Sequence, residues 1–177
     1  PNGLVVPPAP KVVGPKALFS KDYRAITAGV WITYFCGCFT VYGINAWLPS
    51  LMLEKGLKLS SAYGLAIAQN AAAVLANCST GFMAEIVGRR KNLIASYFIA
   101  AIAVFIVAFV GSNFAAILAA NIFMGFAINY AITAVQPLMA EGYPTEFRNT
   151  GVSWCQAFGR FGGALAPIVA GIVIGMG

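Results

Sequence analysis

The 177-residue chain carries eleven Lys and Arg against five Asp and Glu, a net charge of +6 that in a soluble protein would favour nucleic acid or another acidic partner. However, only 9% of its residues are charged, 60% are hydrophobic and the mean hydropathy is +0.81, which together exclude a soluble domain of this size. We therefore predict an all-α integral membrane protein whose surroundings are the lipid bilayer, with no nucleic-acid partner.

The N-terminal stretch is polar and proline-rich. Residues 1–24 contain five prolines, three lysines and one arginine, without the apolar core and cleavage site of a signal peptide, so we predict a linker. From Ala25 to Leu53 no residue is charged, which predicts a first membrane span with Trp31 and Trp47 as anchors near its two ends. Pro49 is expected to end the regular helix.

The remaining apolar runs predict four further spans. Between Lys91 and Glu141 lie 49 uncharged residues. As one helix they would measure about 73 Å, against a hydrocarbon core of about 30 Å, so a hairpin is predicted at Gly111–Ser112–Asn113. The five predicted spans cover about residues 25–53, 59–86, 92–110, 114–140 and 150–176.

The distribution of positive charge predicts the orientation. When five spans are threaded alternately through a bilayer, eight Lys and Arg fall on the side of the N-terminal linker, and only Lys55 and Lys58 fall on the other side. The first side is therefore predicted to be cytoplasmic. The protein would be a multi-pass protein of the plasma membrane with a cytoplasmic N-terminal linker.

A first motif, GFMAEIVGRRK, lies between the second and third spans. Charge alone leaves two interpretations open, either a turn that pins two helices together or a simple positive stop beside a helix-terminal Glu85. The spacing of Gly81, Glu85, Gly88, Arg89 and Arg90 resembles the G-x-x-x-D-x-x-G-R-R/K loop of the major facilitator superfamily. It departs from that pattern in having Glu for Asp, and Ile after it where the stronger N-terminal copy has Arg.

A second motif, EGYPTEFRNTG at residues 141–151, looks like the turn between helices ten and eleven of metabolite transporters in that superfamily. The resemblance covers about Asp22 to Gly177 and implies helices seven to eleven of a twelve-helix transporter. It also implies that the N-terminal half and the twelfth helix belong to a missing part of the same chain, and that residues 1–24 end the central cytoplasmic loop. Within the superfamily, residues 45–56 and 143–171 are most similar to aromatic acid:proton symporters and related organic-acid carriers.

Arg160 lies about eleven residues into the last span. A charge at that depth costs at least about 2.5 kcal/mol unless it meets a partner or water, which makes it a functional candidate. It could hold a substrate carboxylate, or it could serve structurally by binding helix-end carbonyls or Glu146; both interpretations stay open. Its neighbours Gly159 and Gly163 form a GxxxG pair that predicts close helix packing.

Polar residues concentrate in four of the spans, whereas the third has almost none and is predicted to face lipid. Each amide could instead join two helices, so no single amide is assigned to substrate contact on this ground. The predicted substrate cavity is lined by Tyr42, Asn45, Gln69, Asn70, Asn129, Tyr130, Thr133, Gln136 and Arg160. A cytoplasmic gate, formed when the cavity opens outward, is predicted from Glu85, Arg89, Arg90, Glu141, Glu146 and Arg148.

These features predict a secondary transporter, through proton-coupled symport of a small aromatic acid by alternating access. Sugar, nicotinate or organic-cation carriage within the superfamily is the alternative, and a membrane enzyme, assembly subunit or channel is less favoured. The chain has no histidine, and the Cys36–Cys38 pair lacks further ligands for a soft metal, so no catalytic set and no cofactor are predicted. All four cysteines are expected to be buried without disulfides. No carboxylate lies deep in a span, and the resemblance places the proton-coupling acid in the missing N-terminal half.

Overall fold

The computed structural model describes residues 18–54, 56, 58–111 and 113–175. It folds into five helices, namely α1 (Arg24–Glu54), α2 (Leu59–Val87), α3 (Arg89–Phe109), α4 (Phe114–Glu141) and α5 (Arg148–Gly175). The described residues contain no strand, and the all-α prediction is confirmed. Residues 1–17 of the predicted linker and Ser112 of the predicted hairpin lie outside the described part of the chain.

Four of the helices, α1 to α4, are long and apolar enough to cross a membrane, as expected for an integral membrane protein. Helix α5 has a similar length of 28 residues. It carries two arginines, at positions 148 and 160, and its crossing of the membrane stays a prediction.

Two helices, α3 and α5, begin earlier than the sequence predicts. Gly88 adopts a φ of +89°, a conformation that side chains disfavour, and this single residue separates α2 from α3. Arg89, Arg90 and Lys91 therefore form the first turn of α3, three residues before the predicted start. Helix α5 begins at Arg148, two residues earlier than predicted.

The expectation that Pro49 ends its helix is wrong, because α1 continues to Glu54. Proline removes one backbone donor, and the helix tolerates this loss where its flanking residues keep their own bonds. Pro137 and Pro167 likewise lie inside α4 and α5. All three prolines are thus points where a spanning helix can bend.

Helix α1 packs most closely against α5, while α2 and α3 pack against the central helix α4. At the α1–α5 contact, the glycines of α5 leave room for aromatic rings of α1. A methyl group at Gly159 would lie 2.3 Å from the Tyr34 ring, and one at Gly163 would lie 2.5 Å from the Tyr42 ring. The close packing predicted from the GxxxG pair is therefore confirmed.

Helices α1 and α3 stay apart. Two cavities of about 910 and 310 Å³ lie between them, with α4 contributing to the lining of both. The Tyr97 hydroxyl reaches across and donates to the Thr33 carbonyl at 2.9 Å. Helix α3 also exposes large apolar side chains that line neither cavity, including Phe98 and Ile102, which suits contact with lipid acyl chains.

The cysteines are all free, and the expectation that all are buried is half wrong. Cys38 and Cys155 are buried, but Cys36 and Cys78 are exposed. Residues two apart on a helix point about 200° away from each other, so Cys36 and Cys38 cannot both face the same side of α1.

Candidate functional site

The end of the bundle that is predicted to be cytoplasmic carries an ion pair that joins the two sequence motifs. Arg89 Nη1, in the first turn of α3, pairs with Glu141 Oε1, at the last residue of α4. The Gly88 turn sets Arg89 at the helix start, and the Gly142 N–H donates to the Leu138 carbonyl at 2.9 Å where α4 ends. Both charged side chains are about half exposed, at 43% and 51%, so water screens the pair.

The other four predicted gate residues form no ion pair within the described part of the chain. Arg148 donates from Nε to the Tyr143 carbonyl at 3.4 Å, a weak contact within the turn. Glu85, Arg90 and Glu146 are exposed and form no ion pair within the described ranges. The structure thus brings together two of the six predicted residues, and the role of the other four stays a prediction.

The larger cavity opens beside this ion pair. Its walls are mostly apolar side chains of α1, α3 and α4, such as Ile26, Leu93 and Val135. Its rim is charged, with the basic first turn of α3 on one side and Glu141 on the other. This is an amphipathic recess at a helix end, separate from the polar faces described next.

Three predicted cavity amides are held by their own helices. The side-chain nitrogens of Asn45, Asn70 and Asn129 donate to the carbonyls four residues earlier, at 2.9, 2.8 and 2.9 Å. Each amide therefore keeps its oxygen and one N–H available. Asn45 and Asn70 are exposed and Asn129 is partly buried, so these groups can meet a polar ligand.

Two other predicted cavity residues bridge helices. The Thr133 hydroxyl donates to Asn77 Oδ1 at 2.7 Å, joining α4 to α2 on an exposed face. The Tyr130 hydroxyl donates to Asn92 Oδ1 at 2.8 Å, joining α4 to α3. Tyr130 is consequently directed toward α3, and its polar atom is used in helix packing.

Gln69 does not lie on the exposed polar face, contrary to its predicted place in the cavity lining. It is 1% exposed at the crossing of α2 and α4, where Gly125 allows the helices to approach closely. Neither end of its amide has a partner among the described residues. Asn121 lies at the same crossing and donates to the Leu65 carbonyl at 2.8 Å.

Arg160, Tyr42 and Gln136 are all exposed. Arg160 makes no hydrogen bond or ion pair within the described part of the chain, and the alternative pairing with Glu146 is not formed. Tyr42 packs on Gly163, which lies about one helical turn after Arg160 on α5. Gln136 likewise has no hydrogen bond from its side chain among the described residues.

Several polar contacts were missed by the sequence prediction. Asn77 is not among the predicted cavity residues, and no local pattern indicates that Thr133 donates to it. The sequence places Asn92 only at the start of the third predicted span and does not indicate its bond to Tyr130. Thr27 and Tyr143, which bond to each other, are separated by 116 residues, and no local pattern connects them.

Comparison with known proteins identifies the family of the chain. The sequence profile described as Major Facilitator Superfamily matches residues 30–177. The 4-hydroxybenzoate transporter PcaK of Pseudomonas aeruginosa is 31% identical over 160 residues, which are 90% of this chain and 36% of that protein. The gallate transporter of Pseudomonas putida is 27% identical, covering 92% of this chain and 36% of its own length. The niacin transporter NiaP of Acinetobacter baylyi is 27% identical, covering 87% and 35%.

The chain spans about a third of the length of the curated relatives it matches. The matching region includes both motifs, the Arg89–Glu141 pair and the polar faces of α2, α4 and α5. On the extent of the family match, the chain belongs to the Major Facilitator Superfamily.

Proposed function

We propose that this chain forms part of a secondary transporter that carries a small aromatic acid, together with protons, by alternating access. The observation that carries the proposal is the free guanidinium of Arg160, exposed on α5 about one turn before Gly163, on which the Tyr42 ring packs. The named substrates of similar proteins, 4-hydroxybenzoate and gallate, combine a carboxylate with an aromatic ring. The chemistry of Arg160 and its surroundings suits that combination.

Arginine is the side chain best suited to this task. Its planar fork can bind a carboxylate through two parallel hydrogen bonds, and it stays protonated at every physiological pH. The neutral amides of Asn45, Asn70 and Asn129 retain free acceptor and donor atoms for the remaining polar groups of a substrate. In this proposal Arg160 binds charge, and the amides bind hydroxyl or ring-nitrogen substituents.

We also propose that the rest of the transporter lies in a longer protein, chiefly an N-terminal half that faces these polar helices. The relatives are about three times as long as this chain. Among the described residues the carboxylates Asp22, Glu85, Glu141 and Glu146 all lie at helix ends or in turns. The proton-carrying acid is therefore assigned to the other half.

In the same proposal the Arg89–Glu141 pair helps to close the cytoplasmic side. The pair ties α3 to α4 at their cytoplasmic ends, and an exposed ion pair contributes only about 0.2–1 kcal/mol. Such a weak contact suits a gate that must open in every cycle. Its strength can bias the transporter toward the outward-open state without locking it there.

Uptake of labelled 4-hydroxybenzoate into proteoliposomes tests the proposal. With the full-length protein reconstituted, we expect saturable uptake that rises when the outside is made acidic and falls when a protonophore is added. Empty liposomes control for passive entry of the neutral acid. Absence of carrier-dependent uptake for 4-hydroxybenzoate, gallate and benzoate would remove the aromatic-acid proposal.

Nicotinate is a second candidate substrate, because a niacin transporter is among the similar proteins. Nicotinate also joins a carboxylate to an aromatic ring, so Arg160 would bind it in the same way. Competition separates the two candidates, since the true substrate inhibits uptake at the lowest concentration. An organic cation would be repelled by Arg160 and is disfavoured.

A further inference from the structure

A short segment before the first helix is buried against the turn that follows Glu141. The segment, Leu18–Tyr23, is called here the pre-helix segment, and the turn, Gly142–Phe147, is called the α4–α5 turn. Leu18 and Tyr143 are each 1% exposed and form one cluster with Phe147, against which Tyr23 packs. Such complete burial is unusual in connections outside the spanning helices, which ordinarily run over the surface.

A relay of two hydrogen bonds connects these parts. The Tyr143 hydroxyl donates to Thr27 Oγ1 at 3.1 Å, and the Thr27 hydroxyl donates to the Leu18 carbonyl at 2.9 Å. All three residues are buried. Losing the Tyr143 hydroxyl removes the bond that Thr27 Oγ1 accepts, and losing the Thr27 hydroxyl also removes the bond to the Leu18 carbonyl. Burial raises the pKa of Tyr143, although the bond to Thr27 opposes this, and the phenol remains a donor at neutral pH.

Ring contacts reinforce the relay on both sides. Tyr23 meets Phe147 edge to face, with ring centroids 5.4 Å apart. The Tyr143 ring also rests on Gly151 of α5, where an added methyl group would lie 2.5 Å from it. The α4–α5 turn is therefore fixed to α5 as well as to the pre-helix segment.

We propose that Leu18, Thr27 and Tyr143 form a clamp that makes the pre-helix segment and the α4–α5 turn open and close as one unit. Glu141 lies two residues before Tyr143, and Gly142 between them contacts Ile26 of α1. A movement of the loop before α1 is thereby transmitted to the carboxylate that pairs with Arg89. Tyr143 is a positioning residue in this scheme, and the transmission step rests on the proposed gate.

Hydrogen exchange on the full-length protein in lipid nanodiscs tests the clamp itself. Tyr143→Phe removes only the hydroxyl, and Thr27→Val removes the middle of the relay while keeping its shape. We expect either change to speed amide exchange about three- to tenfold in both the pre-helix segment and the α4–α5 turn. Tyr23→Phe is the matched control, because the Tyr23 hydroxyl makes no hydrogen bond among the described residues.

If faster exchange appears in only one of the two segments, or in neither, the clamp is refuted. Thr27→Val gives an independent decision should Tyr143→Phe fail to fold. If Tyr23→Phe speeds exchange as much as Tyr143→Phe, the effect does not depend on the Tyr143–Thr27 hydrogen bond and the hydroxyl relay is refuted.

Labelling of a cysteine placed at the cytoplasmic mouth tests the transmission step. We expect Tyr143→Phe to raise the labelling rate, and the double variant with Glu141→Gln to label no faster than Glu141→Gln alone, because the clamp acts through that carboxylate. An unchanged rate in Tyr143→Phe, or additive effects in the double variant, would overturn transmission. If Glu141→Gln alone changes nothing, the gate and the transmission step both fail, while coupled exchange of the two segments would still support the clamp.

Discussion

The end of this bundle that carries the Arg89–Glu141 pair and the middle of the bundle use polar side chains in different ways. At that end, polar groups connect elements far apart in the chain, as Arg89 does with Glu141 and Tyr143 with Thr27. In the middle, three amides, those of Asn45, Asn70 and Asn129, are held by their own helix. The first arrangement fixes how helices sit relative to each other, whereas the second fixes only the direction of a side chain.

The difference separates a region that controls conformation from a region available for binding. A side chain held by its own helix keeps its position when helices move, so it can present the same groups to a substrate in both states. A contact between helices must instead be made or broken as the helices move. Arg160, with no partner among the described residues, represents the binding region most clearly.

The largest expected effect is at Arg160. Replacing it with glutamine in the full-length protein removes the one charge proposed to hold a carboxylate. Hydrogen bonds to charged groups contribute about 1.5–3 kcal/mol, so kcat/KM for uptake should fall at least about tenfold. Arg160→Lys keeps the charge but loses the planar fork, so its kcat/KM should lie between those of the unmodified protein and of Arg160→Gln. Initial rates of labelled 4-hydroxybenzoate uptake give the measurement.

The control for that change is Arg24→Gln at the start of α1, where the arginine is exposed and unpaired in the described residues. Its uptake should match that of the unmodified protein. Equal losses in both variants would mean that overall positive charge matters, and Arg160 would lose its special role.

The next largest effect is expected at the crossing of α2 and α4, where close packing buries Gln69. A methyl group at Gly125 would lie 2.4 Å from Gln69 Cγ and 2.9 Å from its backbone oxygen, so Gly125→Ala must push α2 and α4 apart. Overpacking of this kind costs about 1–3 kcal/mol, and the thermal midpoint should drop. Gly64→Ala is the control, because nothing lies within 4 Å of its added methyl group. Equal stability of the two variants would contradict the close α2–α4 crossing.

A smaller effect is expected at the gate. Glu141→Gln removes an exposed ion pair worth about 0.2–1 kcal/mol, so the ratio of inward-open to outward-open protein should rise at most about fivefold. The labelling rate of a cysteine at the cytoplasmic mouth reports this ratio. Glu146→Gln provides the comparison, because Glu146 has no ion pair within the described ranges. If Glu146→Gln shifts the ratio as much as Glu141→Gln, the specific pair is not the gate.

The smallest effect is expected at the Thr133–Asn77 hydrogen bond, which joins α4 to α2 on the exposed polar face. A double-mutant cycle of Thr133→Val and Asn77→Ala should give a coupling energy of about 0.6 kcal/mol, typical of hydrogen bonds between membrane helices. Thermal unfolding in detergent supplies the four stabilities. A coupling energy indistinguishable from zero would show that the 2.7 Å contact does not join α2 to α4 under these conditions.

Much of the fold could be predicted from the chain because charge is so scarce in it. Uncharged runs predicted the first four helices and an apolar run with the single charge of Arg160 predicted the fifth, while the GxxxG pair correctly predicted close packing at Gly159 and Gly163. The start of α3 was missed because one glycine, Gly88, makes a turn that usually needs several residues. Pro49 was misjudged because the helix continues through it.

The candidate site was harder to predict, since a polar residue in a membrane helix has two uses that look alike in sequence. Gln69 and Asn70 are neighbours, yet one is buried between helices and the other is exposed. Only the packing of α2 on α4 decides between these environments. The contact of Tyr143 with Thr27 depends on tertiary structure in the same way.

The central claim is that Arg160 binds the carboxylate of an aromatic substrate. The most direct test is equilibrium binding of 4-hydroxybenzoate and its uncharged amide, 4-hydroxybenzamide, to the purified full-length protein and to Arg160→Gln. We expect the unmodified protein to prefer the acid by at least about tenfold, and the variant to lose that preference while retaining its affinity for the amide. Retention of the full preference by Arg160→Gln would contradict the claim.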